Sequence, residues 1–308
     1  MINTPIITVS FNRPDKTLRL VEALRAVKPR HIIAVCDAPR RTHPEDAELC
    51  ASVKKIISEG IDWDCRLEED YSADNMGCGR RIYAGITKAF ERVPQAIILE
   101  DDCIPDPSFF RFCEEMLDRY ERDSRIMHIA GSNRIKRPEI FRDSYIFTHT
   151  PLIWGWATWA RAWKGFDREI PFWKTMSKEQ KEQFLRPYSF DAQETAYRIL
   201  DYDRSACQKV NTWGHQWVLH VLKNAGLAIV PKSNLISNEG FDERATHTKN
   251  KPLGLPKRAA LEFPLRHPSG VECNRDFDRA FGKANNRHPT IFHRVLFKLR
   301  RMTKRSPS

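Results

Sequence analysis

From Pro5 to Ala130 the chain alternates short apolar runs with longer stretches of helical spacing, and this alternation restricts the fold more than any other feature. Pro5 to Ser10 reads as a strand, Asn12-Arg13-Pro14-Asp15 closes it, and Lys16 to Val27 follows as a helix with Leu18, Val21, Leu24 and Arg25 at helical spacing. His31 to Val35 is a second strand, Thr42 to Glu59 a second helix, and Cys65 to Glu68 a short strand. Gly79 to Arg92 is then a helix leading into a strand at Ala96 to Leu99, with a further helix over Pro107 to Arg122 and a strand over Arg125 to Ala130. A βαβ opening of this kind predicts an α/β fold with a mostly parallel sheet. From Tyr145 the composition becomes Trp-rich and irregular, and no repeat or low-complexity tract occurs.

The strand at Ala96 to Leu99 runs straight into Glu100, Asp101 and Asp102. A sheet interior does not tolerate unpaired charge, so these acids emerge at the carboxyl end of the strand, where open α/β sheets bind ligands. Adjacent carboxylates raise one another's pKa unless a cation sits among them, and a hard ion such as Mg²⁺ or Mn²⁺ suits oxygen ligands. A metal and phosphate site is one reading. The other is a strand end followed by a helix cap, since Asp106 or Ser108 can start an amphipathic helix running to about Asp123.

The length of 308 residues allows one large domain or two smaller ones, and one domain with a tail is expected. The net charge of +11 belongs to the tail: from Arg279 onward nine Lys or Arg occur without an acid, leaving 42 basic against 40 acidic residues before them. In that tail Ile291, Phe292, Val295, Leu296, Leu299 and Met302 recur at helical spacing among basic residues. Such a segment can rest on an anionic membrane or dock its apolar stripe on the body. The body has no basic stripe interleaved with aromatics, so nucleic acid is not expected as a partner. The eight cysteines form neither Cys-x-x-Cys pairs nor a dense framework and read as reduced thiols. No signal-like or bilayer-spanning run is present, and a cytoplasmic protein, peripheral at most on the inner face of the cell membrane, is expected.

Further polar residues gather at strand ends: Arg13 after the first strand, Asp37 after the second, and Asn75, Arg80 and Arg81 before the helix that leads to Glu100. Arginine offers forked donors to diphosphate oxygens, and an aspartate can accept from a nucleobase imide. Each of them, taken singly, also reads as a surface charge or cap. Asn75-Met76-Gly77-Cys78-Gly79 matches neither a P-loop nor a dinucleotide fingerprint, so ATP and NAD have little support.

Four short motifs in order carry a resemblance: Ile-Ile-Thr-Val-Ser-Phe-Asn-Arg-Pro at the start, the Asn75-x-Gly77 segment, Glu100-Asp101-Asp102, and Asn238-Glu239-Gly240 leading to Ala245-Thr246-His247-Thr248. Together they resemble nucleotide-sugar-dependent glycosyltransferases of the GT-A fold, most similar to bacterial family-2-like sugar transferases and more distantly to the N-acetylglucosaminyltransferase I group. The resemblance implies a Rossmann-like, mostly parallel mixed sheet flanked by helices over 1–248. A nucleotide-binding first half would span about 1–131 and an acceptor-binding second half about 132–248; the resemblance does not cover 249–308, which reads from composition as an exposed linker rich in Pro and Lys over Lys249 to Pro268 and a basic tail. It also implies a Mn²⁺ or Mg²⁺ cofactor bound by Asp102 and His247, with Glu100 and Asp101 holding the ribose or metal-bound waters. Arg13 and Asp37 would read the base, and Asn75 and Arg80 are further nucleotide candidates. An aspartate at position 37 suits uracil, which favours a UDP-sugar donor, with a glycan or glycolipid acceptor in bacterial surface glycan assembly.

An inverting transfer needs a general base at the acceptor hydroxyl. Similar sequences commonly carry an acid just after the first Trp of the segment Asn211-Thr212-Trp213-Gly214-His215-Gln216-Trp217, where this chain has Gly214. His215 is the candidate base, titrating near neutrality, with packing as its alternative role. Asp201 and Asp203 lie upstream of it. Trp154 and Trp156 flank Gly155 and are candidate sugar platforms, whereas Trp159 and Trp163 are assigned to the core. The competing functions are a sugar nucleotidyltransferase, which wants a glycine-rich loop where Asn12-Arg13-Pro14-Asp15 stands, and a non-catalytic sugar-binding scaffold of the same fold.

Overall fold

The structure is a computed structural model that describes residues 2–189, 191–207, 211–241 and 255–285. Its first half follows the expected alternation: β1 (Ile6–Ser10), α1 (Pro14–Arg25), β2 (His31–Cys36), α2 (Glu45–Gly60), β3 (Arg66–Tyr71), α3 (Cys78–Phe90), β4 (Gln95–Glu100), β5 (Cys103–Pro105), α4 (Pro107–Arg119) and β6 (Ile126–Ala130). The second half adds β7 (Tyr145–Thr148), β8 (Trp156–Trp159), α5 (Ala160–Trp163), α6 (Pro171–Thr175), α7 (Lys178–Leu185), α8 (Ala192–Ala206), α9 (Gly214–Lys223), β9 (Leu227–Pro231), β10 (Ile236–Asn238) and α10 (Arg275–Asn285).

Eight strands form one mixed sheet in the order β3-β2-β1-β4-β8-β6-β9-β7. The pairs β2/β3, β1/β2, β1/β4 and β6/β9 are parallel, while β8 runs against both β4 and β6, and β7 against β9. Both faces are covered, which is why β1 and β6 are buried along their whole length rather than alternating with polar residues. Ile6, Ile32, Ile97 and Ile129 pack with Leu20 and Leu24 of α1 and Phe109, Phe112 and Met116 of α4. On the opposite face Ile7, Ile33, Val35 and Ile98 meet Ile82 and Ile86 of α3, Trp163 of α5 and Trp217 of α9. The edge strand β3 carries Glu68 and Asp70, paired with Arg66, Arg92, Arg81 and Lys88, a charged edge that discourages further strand addition.

Strand order reverses beside β1, whose neighbours are β2 on one side and β4 on the other. At such a switch point the connections leave to opposite faces and open a crevice at the carboxyl ends of the two strands. The loop carrying Arg13 and the turn carrying Asp101 and Asp102 both emerge there.

Two sequence expectations are revised by the packing. Residues 255–285 are not an exposed linker and tail: Leu261, Leu265 and Phe277 are buried, and the segment is bonded to the body through Ala259 N to Asn234 O (2.9 Å), Leu261 N to Ser108 Oγ (3.0 Å) and Asn274 N to Phe147 O (2.7 Å). The body therefore extends past the expected boundary at 248. Gly155, with φ of +57°, serves chain packing, since a side chain there would meet Ile236 Cδ1 at 2.5 Å. The apolar tail positions from Ile291 to Met302 lie outside the described residues.

Candidate active site

Glu100 ends β4 in register with Val9 of β1, and the Asp101 amide donates to the Val9 carbonyl at 2.9 Å. The chain then turns through Asp101 and Asp102 into β5, which pairs antiparallel with β10 so that Cys103 faces Asn238. Glu239 N donates to the Asp102 carbonyl at 2.8 Å. The cap expected at Asp106 or Ser108 is found at Asp106, whose Oδ1 accepts from Ser108 N at 2.9 Å. Glu100, Asp101 and Asp102 take no part in that cap.

A cation does sit among them, and it is Arg13. From the three-residue loop between β1 and α1 its guanidinium donates to Asp101 Oδ1 at 2.5 Å and to Asp102 Oδ2 at 3.0 Å. Asp101 is 1 % exposed, and its Oδ2 is buried with no hydrogen-bond partner among the described residues. Burial pushes Asp101 up to about 6 and Glu100 up to about 8; Asp102 adds to both shifts, whereas Arg13 opposes them. Three carboxylates against one guanidinium leave the turn short of positive charge. Lys16 of α1 donates through Nζ to the Glu239 carbonyl, and a side chain at Gly240 would meet Asp102 Oδ2 at 2.3 Å, so the chain leaving β10 closes tightly over the turn.

A divalent ion fits this turn only in a particular way. Among the described residues the carboxylates of Glu100, Asp101 and Asp102 do not bring three ligand atoms within 4.8 Å of one another. Asp101 is committed to Arg13, while Asp102 and Glu100 remain partly exposed. The donors present suit an ion held by one carboxylate and completed by substrate phosphate, a common arrangement for Mg²⁺. His247, the second expected ligand, lies outside the described residues.

The other expected nucleotide residues divide. Asp37 is buried, and both of its oxygens are occupied: Oδ1 accepts from Ala38 N, Ser72 Oγ and Met76 N at 2.9 to 3.0 Å, and Oδ2 from Gly77 N at 2.8 Å and Asn75 Nδ2 at 3.2 Å. Five donors saturate a carboxylate, so Asp37 shapes the 72–77 loop and has no acceptor left for a base. Asn75 completes that loop through Ala38 O at 2.6 Å. Arg80 is exposed on the first turn of α3, whereas its neighbour Arg81 is buried and clamps β2 to β3 through Cys36 O at 3.0 Å and Asp70 Oδ2 at 2.6 Å.

Trp156 is corrected from sugar platform to core: it is 1 % exposed and stacks on Trp213 at 5.3 Å and on His128 at 5.0 Å. Trp159 and Trp163 are core, as expected. Trp154 is half-buried on the wall of a cavity of about 330 Å³, with Arg134 over its ring at 4.5 Å. Arg19, Arg134, Lys257 and Arg258 line the same cavity, and Glu239 is its one acid among the described lining residues. His215 is exposed at the start of α9 and turned toward α8, its Nδ1 bonded to Ser205 Oγ at 2.7 Å. Asp203 holds Trp173 and Lys181.

Sequence reasoning missed Asn211, whose Oδ1 accepts from Gly79 N at 3.0 Å and fixes the segment before α9 on the N-terminus of α3. It also missed Asp46, which is fully buried and binds Asn12 and Arg40 in front of β1. Asn211 opens the Trp-bearing segment noted in the sequence, but its bond to Gly79 spans 132 positions and no local pattern announces it, and Asp46 reaches Asn12 across 34.

No known protein family matches the chain by sequence, and no curated protein does. Solved structures do align with it. A UDP-glucose pyrophosphorylase in complex with UDP-glucose aligns at 12 % identity over 49 % of this chain and 64 % of its own length, with a TM-score of 0.29, so the match spans less than two thirds of that protein. HddC from Yersinia pseudotuberculosis aligns at 11 % identity over 57 % of this chain and 87 % of its own, with a TM-score of 0.35. The galactosyltransferase LgtC with donor and acceptor sugar analogs aligns at 12 % identity over 79 % and 91 %, with a TM-score of 0.33. These scores are low, and the fold class rests on the chain's own topology: a mixed α/β fold whose eight-stranded, mostly parallel sheet is flanked by helices.

Proposed function

We propose that the chain is a metal-dependent glycosyltransferase of the GT-A type, moving a sugar from a nucleotide-diphosphate sugar to a glycan or lipid-linked acceptor with inversion; the preference for UDP expected from Asp37 is withdrawn with that residue's role at the base. The observation that carries this reading is the placement of the acid turn and Arg13 together at the β1–β4 switch point, with Asp102 partly exposed in the crevice. Breaking the bond from the anomeric carbon to phosphate grows negative charge on the leaving diphosphate. A divalent cation at Asp102 would supply Lewis-acid stabilisation of that charge. The chain's own part is to hold Asp102 through Arg13 and to fix the crevice wall through Lys16 and Glu239. Positive groups positioned in advance contribute on the order of a few kcal/mol each to such a transition state.

The cavity beside β10 is the candidate acceptor site. Trp154 offers the apolar body that a sugar needs, and Arg134, Lys257 and Arg258, beside an Arg19 already paired with Glu239, favour an acceptor carrying phosphate or carboxylate. His215, exposed and bonded to Ser205, is kept as the candidate base from the sequence, but it is not among the described residues that line this cavity. The nucleotidyltransferase reading is disfavoured by the loop after β1, which has three residues and no glycine with which to cradle a triphosphate.

Calorimetric titration with UDP, GDP, CDP and dTDP, each with Mn²⁺ and again with excess chelator, tests the reading. Metal-dependent binding of one nucleoside diphosphate is expected. Absence of binding to all four by folded protein would leave the acids as a strand-end cluster clamped by Arg13.

A further inference from the structure

Away from the crevice, at the far edge of the sheet, His149, Cys273 and Asp278 bring three ligand atoms together. His149 follows β7, Cys273 sits in an isolated bridge to Phe147 of β7, and Asp278 lies in the first turn of α10. Cys273 Sγ is 3.0 Å from His149 Nδ1 and 3.1 Å from Asp278 Oδ2, and that oxygen is 3.5 Å from the same Nδ1. Thiol and carboxylate therefore converge on one ring nitrogen. A nucleophilic relay would place them on opposite nitrogens of the imidazole, so the geometry describes a common point rather than a chain of proton transfers.

We propose that this cluster is a zinc site that clips α10 to the edge of the sheet. Thiolate, imidazole and carboxylate are the donor set of Zn²⁺, and bond lengths of about 2.0–2.3 Å in a tetrahedron put ligand atoms about 3.3–3.6 Å apart, close to the separations observed. The acid turn at the crevice offers oxygen alone and suits a harder ion, so the two sites select different metals. Supporting bonds are in place: Thr148 and Thr150 hydroxyls donate to Asp278 Oδ1, Oδ2 accepts only a long bond of 3.4 Å from the His149 amide besides the Cys273 contact and so has capacity for the ion, and Tyr188 stands edge-on to the His149 ring at 5.0 Å. The His149 and Asp278 side chains are 13 % and 11 % exposed, enough for an ion to enter and for water to take the fourth position. On binding, the Cys273 thiol proton passes to solvent and the sulfur binds as thiolate.

The test uses the full chain. Elemental analysis of protein purified without chelator is expected to find one zinc per chain, retained in Asp102→Ala and lost in Cys273→Ser and in His149→Gln. Because either variant could unfold, the wild-type protein is also stripped and reloaded with Co²⁺. A thiolate-to-cobalt charge-transfer band is expected, abolished by one equivalent of Zn²⁺. Folded wild-type protein that holds no zinc and gives no such band after loading would overturn the proposal, as would a Cys273→Ser variant that keeps the metal.

Discussion

Asp102 and Asp101 are neighbours in sequence with different tasks, because one faces the crevice and the other is sealed beneath Arg13. We expect Asp102→Asn to lose metal-dependent nucleotide binding and at least on the order of a hundredfold in turnover, with circular dichroism unchanged; retained activity would remove the residue from the site. His215→Ala should depress turnover most on the alkaline side, where the wild-type imidazole is unprotonated and can accept the hydroxyl proton, and least in acid, and a pH–rate profile superimposable on wild type would discard it as base. A third residue reports on stability alone. His128 is fully buried, donates through Nε2 to Leu152 O at 3.0 Å and accepts at Nδ1 from Trp217 Nε1 at 3.1 Å, an arrangement that requires the neutral ring. Burial holds it down to about 4, with the Leu152 carbonyl opposing. The unfolded chain then binds the extra proton first, so stability is complete above the ordinary value of ~6.5 and is lost as pH falls through the folded value, by about 3 kcal/mol in all. His128→Gln should flatten that slope in urea titrations at pH ~7 and ~4.5. At this scale the sequence was readable where chemistry is local, as in the run of acids. It was unreadable where partners come from afar: nothing separates Trp154 from Trp156 until the sheet buries one of them, and nothing in Asp37 announces that the amides of Met76 and Gly77 will claim it.

Elements depend on where segments touch. The N-terminus of α3 is met by residues 211 and 212, and a Cβ at Gly79 would lie 2.6 Å from the Thr212 carbonyl oxygen and 2.8 Å from Asn211 Oδ1. Because the obstacle is backbone, the segment must move. Gly79→Ala is expected to cost about 1–3 kcal/mol in denaturant unfolding and to weaken nucleotide binding by displacing the lead into α9; wild-type values for both would show that this contact is dispensable. The strands and helices of the first half were legible within a few residues because each carries its own periodicity and is flanked by turn residues. The β5/β10 ladder was not. Its strands are three residues each and are separated by more than a hundred positions, so no local pattern encodes the pairing that fixes Asp102 beside Glu239. The reversed direction of β8 was equally hidden, since Trp156 to Trp159 is buried on both faces whichever way it runs.

For the whole molecule, the question is where the folded body ends. Composition placed a break near residue 248, because Pro and Lys accumulate after it, with the one-sided basic charge beginning only at Arg279. Packing puts the break later. Phe277 is fully buried against Phe141, Leu261 and Leu265 enter the core shared with α4, and Ser144 exchanges two bonds with Arg266 at 2.9 Å. Apolar residues spaced irregularly along an extended segment carry no period, which is why this stretch resembled a linker. Two truncations discriminate between the boundaries. A chain ending at Gly254 removes three buried apolar side chains along with two members of the His149 cluster; losing Phe277 alone is worth about 3–5 kcal/mol, so this chain should be unfolded or insoluble. A chain ending at Asn285 should unfold at the temperature of the full protein and bind nucleotide equally well. Sedimentation of the same pair with anionic liposomes then addresses the basic segment: binding by the full chain and its loss on ending at Asn285 would assign membrane contact to residues 286–308, and equal binding by both would place that contact on the body.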